Sequence, residues 1–178
     1  MSIETIQNLG DDALANLFSM TIADVTGVAE LTGDTVLRAQ NFNVPGTGAN
    51  TYEVHYLTQK MTKVGGKINA PNEFSFDFRV DRNWELYKGF KTWKNLVADS
   101  LTGVTMSDTD STNVLRVPIT VWPTGSDGTK ISEADGWLFK GCFVQNLGDI
   151  GFDYSNGDPI IISVTIGFAV LSDTPTIV

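Results

Sequence analysis

The chain has 178 residues, 42% of them hydrophobic, a single cysteine and a formal net charge of −9. That length supports one domain with a full core. A chain this acidic overall is not expected to bind a phosphate backbone through a basic surface, because that binding needs clustered Lys and Arg.

Cys142 has no partner for an internal disulfide. It sits between Gly141 and Phe143 in a predicted strand and reads as a buried, inert thiol. No apolar run is long enough to span a bilayer. The opening MSIETIQNLGDD lacks the basic-then-apolar order of a signal peptide, so a cytoplasmic product is expected.

Residues 1–16 read as an N-terminal arm, loose or with a short helix over 1–12, where Asp11 or Asp12 caps a turn into Ala13–Asn16. Leu17 to Val25 is the first expected strand, with Phe18, Met20 and Ile22 on one face. Residues 26–35 are rich in turn formers. Val36 to Val44 is the second strand, ended by Pro45 and Gly46. Residues 51–69 read as a long hairpin, with its turn placed between Gln59 and Gly66 because Gly65 and Gly66 permit positive φ. It has too few apolar residues to bury itself, so it either projects toward a neighbour or is mobile, the first being favoured.

Glu73 to Asp81 alternates cleanly: Phe74, Phe76, Phe78 and Val80 face inward, and Glu73, Ser75, Asp77, Arg79 and Asp81 face out. Over residues 83–98 the period changes. Leu86, Phe90, Trp93 and Val97 recur at helical spacing, with Asp81 or Asn83 as N-cap and Glu85 at the positive end of the dipole. Gly89 weakens this helix by about 1 kcal/mol relative to Ala. The stretch 99–113 is a polar loop; its Asp108 and Asp110 lack the ligand spacing of a calcium loop. Val114 to Trp122 alternates again, and Pro118 confines it to an edge or a bulge.

The closing pair runs from Trp137 to Val170 around an SNGD turn at 155–158. Ile160, Ile162, Val164, Ile166, Phe168 and Val170 share one face. The other carries Ile161, Ser163, Thr165, Gly167 and Ala169, which are small and weakly polar where a solvent face normally carries Lys and Glu. Such a face suits contact with another surface and points to an assembling β-protein. The fold class expected is mainly β: an antiparallel sandwich or barrel over residues 1–178 with one flanking helix and one projecting hairpin.

The apparatus of catalysis is missing. The lone histidine, His55, has no acid–nucleophile pattern beside it, and there is no G-x-S-x-G, P-loop, G-x-G-x-x-G or Cys/His zinc spacing. A structural protein is therefore favoured over an enzyme, with no cofactor or metal. A carbohydrate-binding β-sandwich is a weaker alternative, since Trp84, Trp93 and Trp137 fall on core or helix positions and only Trp122 looks free.

Four segments, in order, resemble the tail tube protein of contractile-tailed bacteriophages: DDALANLFSMTI, FNVPG, FSFDFRVDRNWELYKGFKTWKNLV and GCFVQNLGDIGFDYSNGDPIIISVTIGFAVL. The resemblance implies hexameric rings, a β-barrel shared around each ring, and stacking into a hollow virion tube assembled in the host bacterial cytoplasm. It implies tail sheath, baseplate or initiator and tape-measure partners, no membrane insertion, and DNA passing through an acidic lumen without specific binding. Glu53, His55, Glu73, Asp77, Ser163 and Thr165 are candidates for the lumen or an inter-subunit face. The inner tube or tube initiator of a related contractile injection system is the near alternative.

Overall fold

A computed structural model describes residues 18–31, 39–46, 48–57, 59–69, 71–99, 101–103, 105, 115–125, 129–130, 136–152 and 157–172. The expected N-terminal arm, the Asp108 and Asp110 loop, residues 36–38 of the second expected strand and the centre of the SNGD turn lie outside these residues.

Nine strands and one long helix are described: β1 (Phe18–Ile22), β2 (Ala39–Phe42), β3 (Gly48–Tyr56), β4 (Gln59–Asn69), β5 (Glu73–Arg79), α1 (Glu85–Val97), β6 (Val117–Pro123), β7 (Trp137–Leu147), β8 (Ile161–Gly167) and β9 (Val170–Ser172). A turn of 3-10 helix, Ala29–Leu31, follows β1. The architecture is mainly antiparallel β with a single long helix among the described residues, as the alternation predicts. Seven strands form one sheet in the order β1-β6-β7-β8-β5-β2, with β9 also on β7; among the described residues β3 and β4 pair only with each other.

The sheet curls. Phe18 on β1 and Phe42 on β2, from its two ends, bring their rings to 6.4 Å. Inside lie Phe42, Phe74, Phe139 and Phe168, with Phe74 and Phe139 at 4.5 Å from one another and each in contact with the other two rings. Burying aromatic rings edge to face supplies both apolar area and a quadrupole preference.

β5 behaves as its alternation predicts: Phe74, Phe76 and Phe78 are buried and Glu73, Ser75 and Arg79 exposed. The helix closes the core over it. Phe90 packs on Phe76 at 5.9 Å and on Phe78 at 5.1 Å, and Leu86 and Trp93 are also buried. Trp93 is fully enclosed, and its indole Nε1 donates to the Leu115 carbonyl at 2.8 Å. Gly89, a weak helix former, has a packing reason: a Cβ there would stand 3.0 Å from the Leu31 side chain, tighter than ordinary contact, so glycine eases the approach of the 3-10 turn to α1.

Asp81 starts the helix. Its carboxylate accepts from the backbone N–H groups of Asn83, Glu85 and Leu86, each at 3.1 Å, while Trp84 takes a left-handed conformation at φ 61°. Slight desolvation pushes the Asp81 carboxyl up, but these backbone donors outweigh it and hold its pKa below the ordinary 3.8. A depressed folded pKa stabilises above the unfolded value and loses that stability as pH falls through the folded one. Wild-type stability should therefore fall below about pH 4 by more than that of Asp81→Ala. At neutral pH the variant should be about 1 kcal/mol less stable. Urea midpoints across pH check both.

Several expectations change at particular residues. Pro118 does not put β6 on an edge; β6 lies between β1 and β7, and the register shifts between Val117 and Ile119. The bulge absorbs the missing N–H, and the Pro118 carbonyl still accepts from Ala23. The hairpin is longer than expected and turns elsewhere. Tyr56 pairs with Gln59, so the chain turns just after Tyr56, with Leu57 at φ 50°. The glycines serve a bulge instead: two residues on from Ala49 the partner advances four, from Ile68 to Val64, and Gly65 lies against the Asn50 carbonyl, where a Cβ would be 3.1 Å away.

The closing pair also breaks face. β7 is met along one edge by β8 and then β9, with Phe143 opposite Gly167 and Lys140 opposite Val170. At the join Gly141 has φ +70°. Phe168 is buried, Val170 is exposed, and Leu171 packs on the core, so Val170 does not continue the inward row. Cys142 is buried there, and desolvation pushes its thiol up to about 12. A thiolate-seeking reagent at mildly alkaline pH should label Cys142 only as the protein unfolds; prompt labelling of the native chain would show this burial to be wrong.

Candidate assembly surfaces

β5 buries its aromatic face, so its other face is bare, and the neighbouring strands extend that face. Across three strands Asn41, Asp77 and Ser163 stand in one rung. Asn41 donates from Nδ2 to Asp77 at 3.5 Å, and the Ser163 hydroxyl donates to the other Asp77 oxygen. One rung along, Ser75 pairs with Thr165, which also faces Asn146 on β7. At the ends of β5, Glu73 pairs with Gly167 and Arg79 with Ile161. With its amide oxygen turned toward Arg79, Gln40 accepts from the guanidinium Nε at 3.1 Å.

Four of the six candidate residues, Glu73, Asp77, Ser163 and Thr165, thus come together on this face. Its centre is hydroxyls and amides around one carboxylate, and Ile161 lies on it 51% exposed. Hydrogen bonds spanning β2, β5 and β8 hold these side chains in place, which favours a preorganised contact surface over a loose solvated one.

Glu53 and His55 stand apart from them. Both lie on one face of β3, exposed, with Glu53 in an ion pair to Lys60 at 2.6 Å; pairs this exposed contribute little. The other face of the hairpin carries Tyr52, Val54, Tyr56 and Met61, and Leu57 protrudes from its tip. Tyr52, Tyr56, Leu57, Met61 and Val64 are all exposed, on a ribbon that among the described residues has two strands and no third. Such a ribbon is marginal in water by itself.

Two further surfaces escaped the sequence reading, which followed only the apolar stripe of α1. The opposite side of that helix carries Lys88 and Lys91, with Lys94 on its shoulder; the helical period that located the core also locates them. At the start of α1, Trp84 meets Tyr87 at 5.6 Å and Phe152 at 6.0 Å. No sequence signal joins Trp84 to Phe152, because the contact depends on the fold of the loop after β7.

Trp122, the free tryptophan of the carbohydrate reading, is covered on one side by Lys130, whose Nζ lies 3.3 Å from the ring centroid. Among the described residues no group of three or more His, Cys, Asp or Glu side chains is placed to hold a metal. No described helix is long and apolar enough to cross a membrane.

No protein-family model matches this sequence, and a comparison with curated proteins finds no match. Solved structures do match. A chain of the extracellular contractile injection system PVC sheath-tube complex, in its extended state, aligns over 97% of both chains at 14% identity and a TM-score of 0.59. A chain of the anti-feeding prophage tube-terminating cap aligns over 92% of this chain and 91% of its own at 14% identity and a TM-score of 0.64. An Hcp protein aligns over 89% and 93% at 13% identity and a TM-score of 0.50. Over most of its length, therefore, the chain has the fold of the Hcp-like tube proteins of contractile injection systems, in agreement with the tail-tube resemblance of its sequence.

Proposed function

We propose that this chain is a structural subunit of the inner tube of a contractile tail or injection particle, forming hexameric rings that stack into a hollow cylinder. The observation that carries the reading is the β3–β4 ribbon. It exposes two tyrosines, a leucine tip and a methionine, with no third strand among the described residues to cover them, and within this fold neighbouring copies are the natural cover. Recruiting copies also removes the open edges at β1 and β2, which otherwise invite uncontrolled pairing.

In this reading Glu73, Asp77, Ser163 and Thr165 line the lumen, and Glu53 and His55 lie at a contact between subunits. Six copies carry a formal charge of −54, six times −9. A hydroxyl-rich wall with acidic rings repels a phosphate backbone weakly and holds it nowhere, so DNA slides. Sheath, baseplate and tape-measure proteins are the partners, and assembly takes place in the host bacterial cytoplasm. The role is structural and needs no enzyme chemistry.

Electron microscopy of concentrated protein tests this reading. Hollow tubes or six-fold rings are expected, and a monomer under every condition would overturn it. The cap likeness favours a second reading, a tube-terminating or initiating ring; such a protein forms single rings that do not stack. Packaging and capsid genes beside its gene would mark a phage; their absence would mark an injection system with protein cargo.

A further inference from the structure

Charge is unevenly spread along this chain. Residues 82–94 hold Arg82, Lys88, Lys91 and Lys94 against Glu85 alone, a net of +3, which leaves −12 for the rest of a chain of −9. On α1, Lys88, Lys91 and Lys94 follow at intervals of three, about 4.5 Å of rise apart. Lys88 and Lys91 are exposed and Lys94 half-buried. Among the described residues none of these four cations stands in an ion pair with an acid. Lys88 reaches only the Asn83 carbonyl, at 3.3 Å. Lys94, in the last turn, complements the helix dipole. The dipole gives no reason for Lys88 or Lys91.

The stripe also has an apolar end. Trp84, half-buried and held left-handed, stacks near Phe152, which is 75% exposed. A tryptophan and a phenylalanine beside unpaired cations supply the anchor and rim of a contact surface.

Direction identifies the occupant. α1 packs its apolar side onto the buried aromatics of β5, so Lys88 and Lys91 point away from β5 on the side opposite the Asp77 and Ser163 face, with Lys94 at the margin of that side. If that face lines a lumen, the lysines lie on the outside of the cylinder. We propose that the α1 lysine stripe is an exterior docking surface for an acidic polypeptide segment of an enclosing protein layer. The inference rests on the tube reading. DNA is the poorer fit: a duplex presents one charge about every 1.7 Å along its axis, and the −12 surrounding the stripe repels that extended charge more than a short acidic segment.

The test uses assembled wild-type protein and the variant K88E/K91E/K94E. The probes are a glutamate-rich helical peptide and a short DNA duplex of matched charge. Lys88 and Lys91 are exposed and Lys94, half-buried, faces the negative end of the helix dipole, so the variant should melt only slightly below wild type and keep its assembly. The peptide should bind wild type, bind the variant at least about tenfold more weakly, and be released by high salt. Equal peptide binding by the two proteins would overturn the proposal. So would tighter binding of the duplex than of the peptide, or loss of assembly in a variant that still folds, which would make the stripe a contact between copies. A wild type that never assembles, yet binds the peptide through these lysines, would remove the tube reading and keep the acidic docking site.

Discussion

Replacing Trp93 with alanine should destabilise the chain by about 4 kcal/mol, the range for deleting a fully buried large aromatic. Two separate losses contribute. The indole fills the space between α1 and the segment entering β6, where it is completely enclosed, and its Nε1 is the hydrogen-bond donor to the Leu115 carbonyl. Trp93→Phe separates the two. It keeps most of the apolar volume and leaves the carbonyl unpaired, so its loss should be about 1–3 kcal/mol. Total stabilities run to only about 5–15 kcal/mol, so the alanine variant should lie close to unfolding at room temperature. Urea unfolding with an unchanged slope gives both values. An alanine variant within about 1 kcal/mol of wild type would mean that α1 is not pinned in this way.

How far this architecture could be read in advance differs from element to element, for physical reasons. β5 was legible because Phe74, Phe76 and Phe78 are all apolar and their neighbours all polar, so a slip by one residue would expose every ring. The helix was legible from the change of period at Leu86 and Phe90; of its two cap candidates Asp81 does accept from the first N–H groups, but the N-cap position itself falls on Trp84, which no capping preference points to. Pro118 was half legible: a missing N–H demands an edge or a bulge, and only the partners of β6 decide which. The hairpin turn was misplaced because Gly65 and Gly66 carry the usual turn signal. The chain instead spends them on a bulge against Asn50 and bends at Leu57, a residue with no local preference for positive φ. The Asp77 and Ser163 rung was foreseen only as two residues on outward faces; the register of β5 against β8 makes them partners. The weakly polar outward face of β8 is the sequence signal on which the assembly proposal leans most, because alternation shows what a face lacks as well as what it carries.

The double variant Tyr52→Ser/Tyr56→Ser should abolish assembly and leave the monomer intact. Both rings lie on the outward apolar face of the β3–β4 ribbon, so neither belongs to the core and the melting temperature of the monomer should hardly move. In an interface, by contrast, a buried tyrosine is among the residues that dominate binding, at about 2 kcal/mol or more each. Losing two lowers the affinity between copies by about a thousandfold, enough to turn a stable tube into free subunits at ordinary concentrations. Leu57→Asp should act similarly through the tip, where a charge would have to be desolvated on contact. Sedimentation velocity with electron microscopy reads the assembly, and circular dichroism melting reads the fold. The opposing faces of the ribbon sharpen the test: Glu53→Gln, which removes the ion pair to Lys60 on the other side, should leave both readouts within error. If tubes of normal length form without the two tyrosines, the ribbon is not what joins one copy to the next, and the bare edges of β1 and β2 must do so without it.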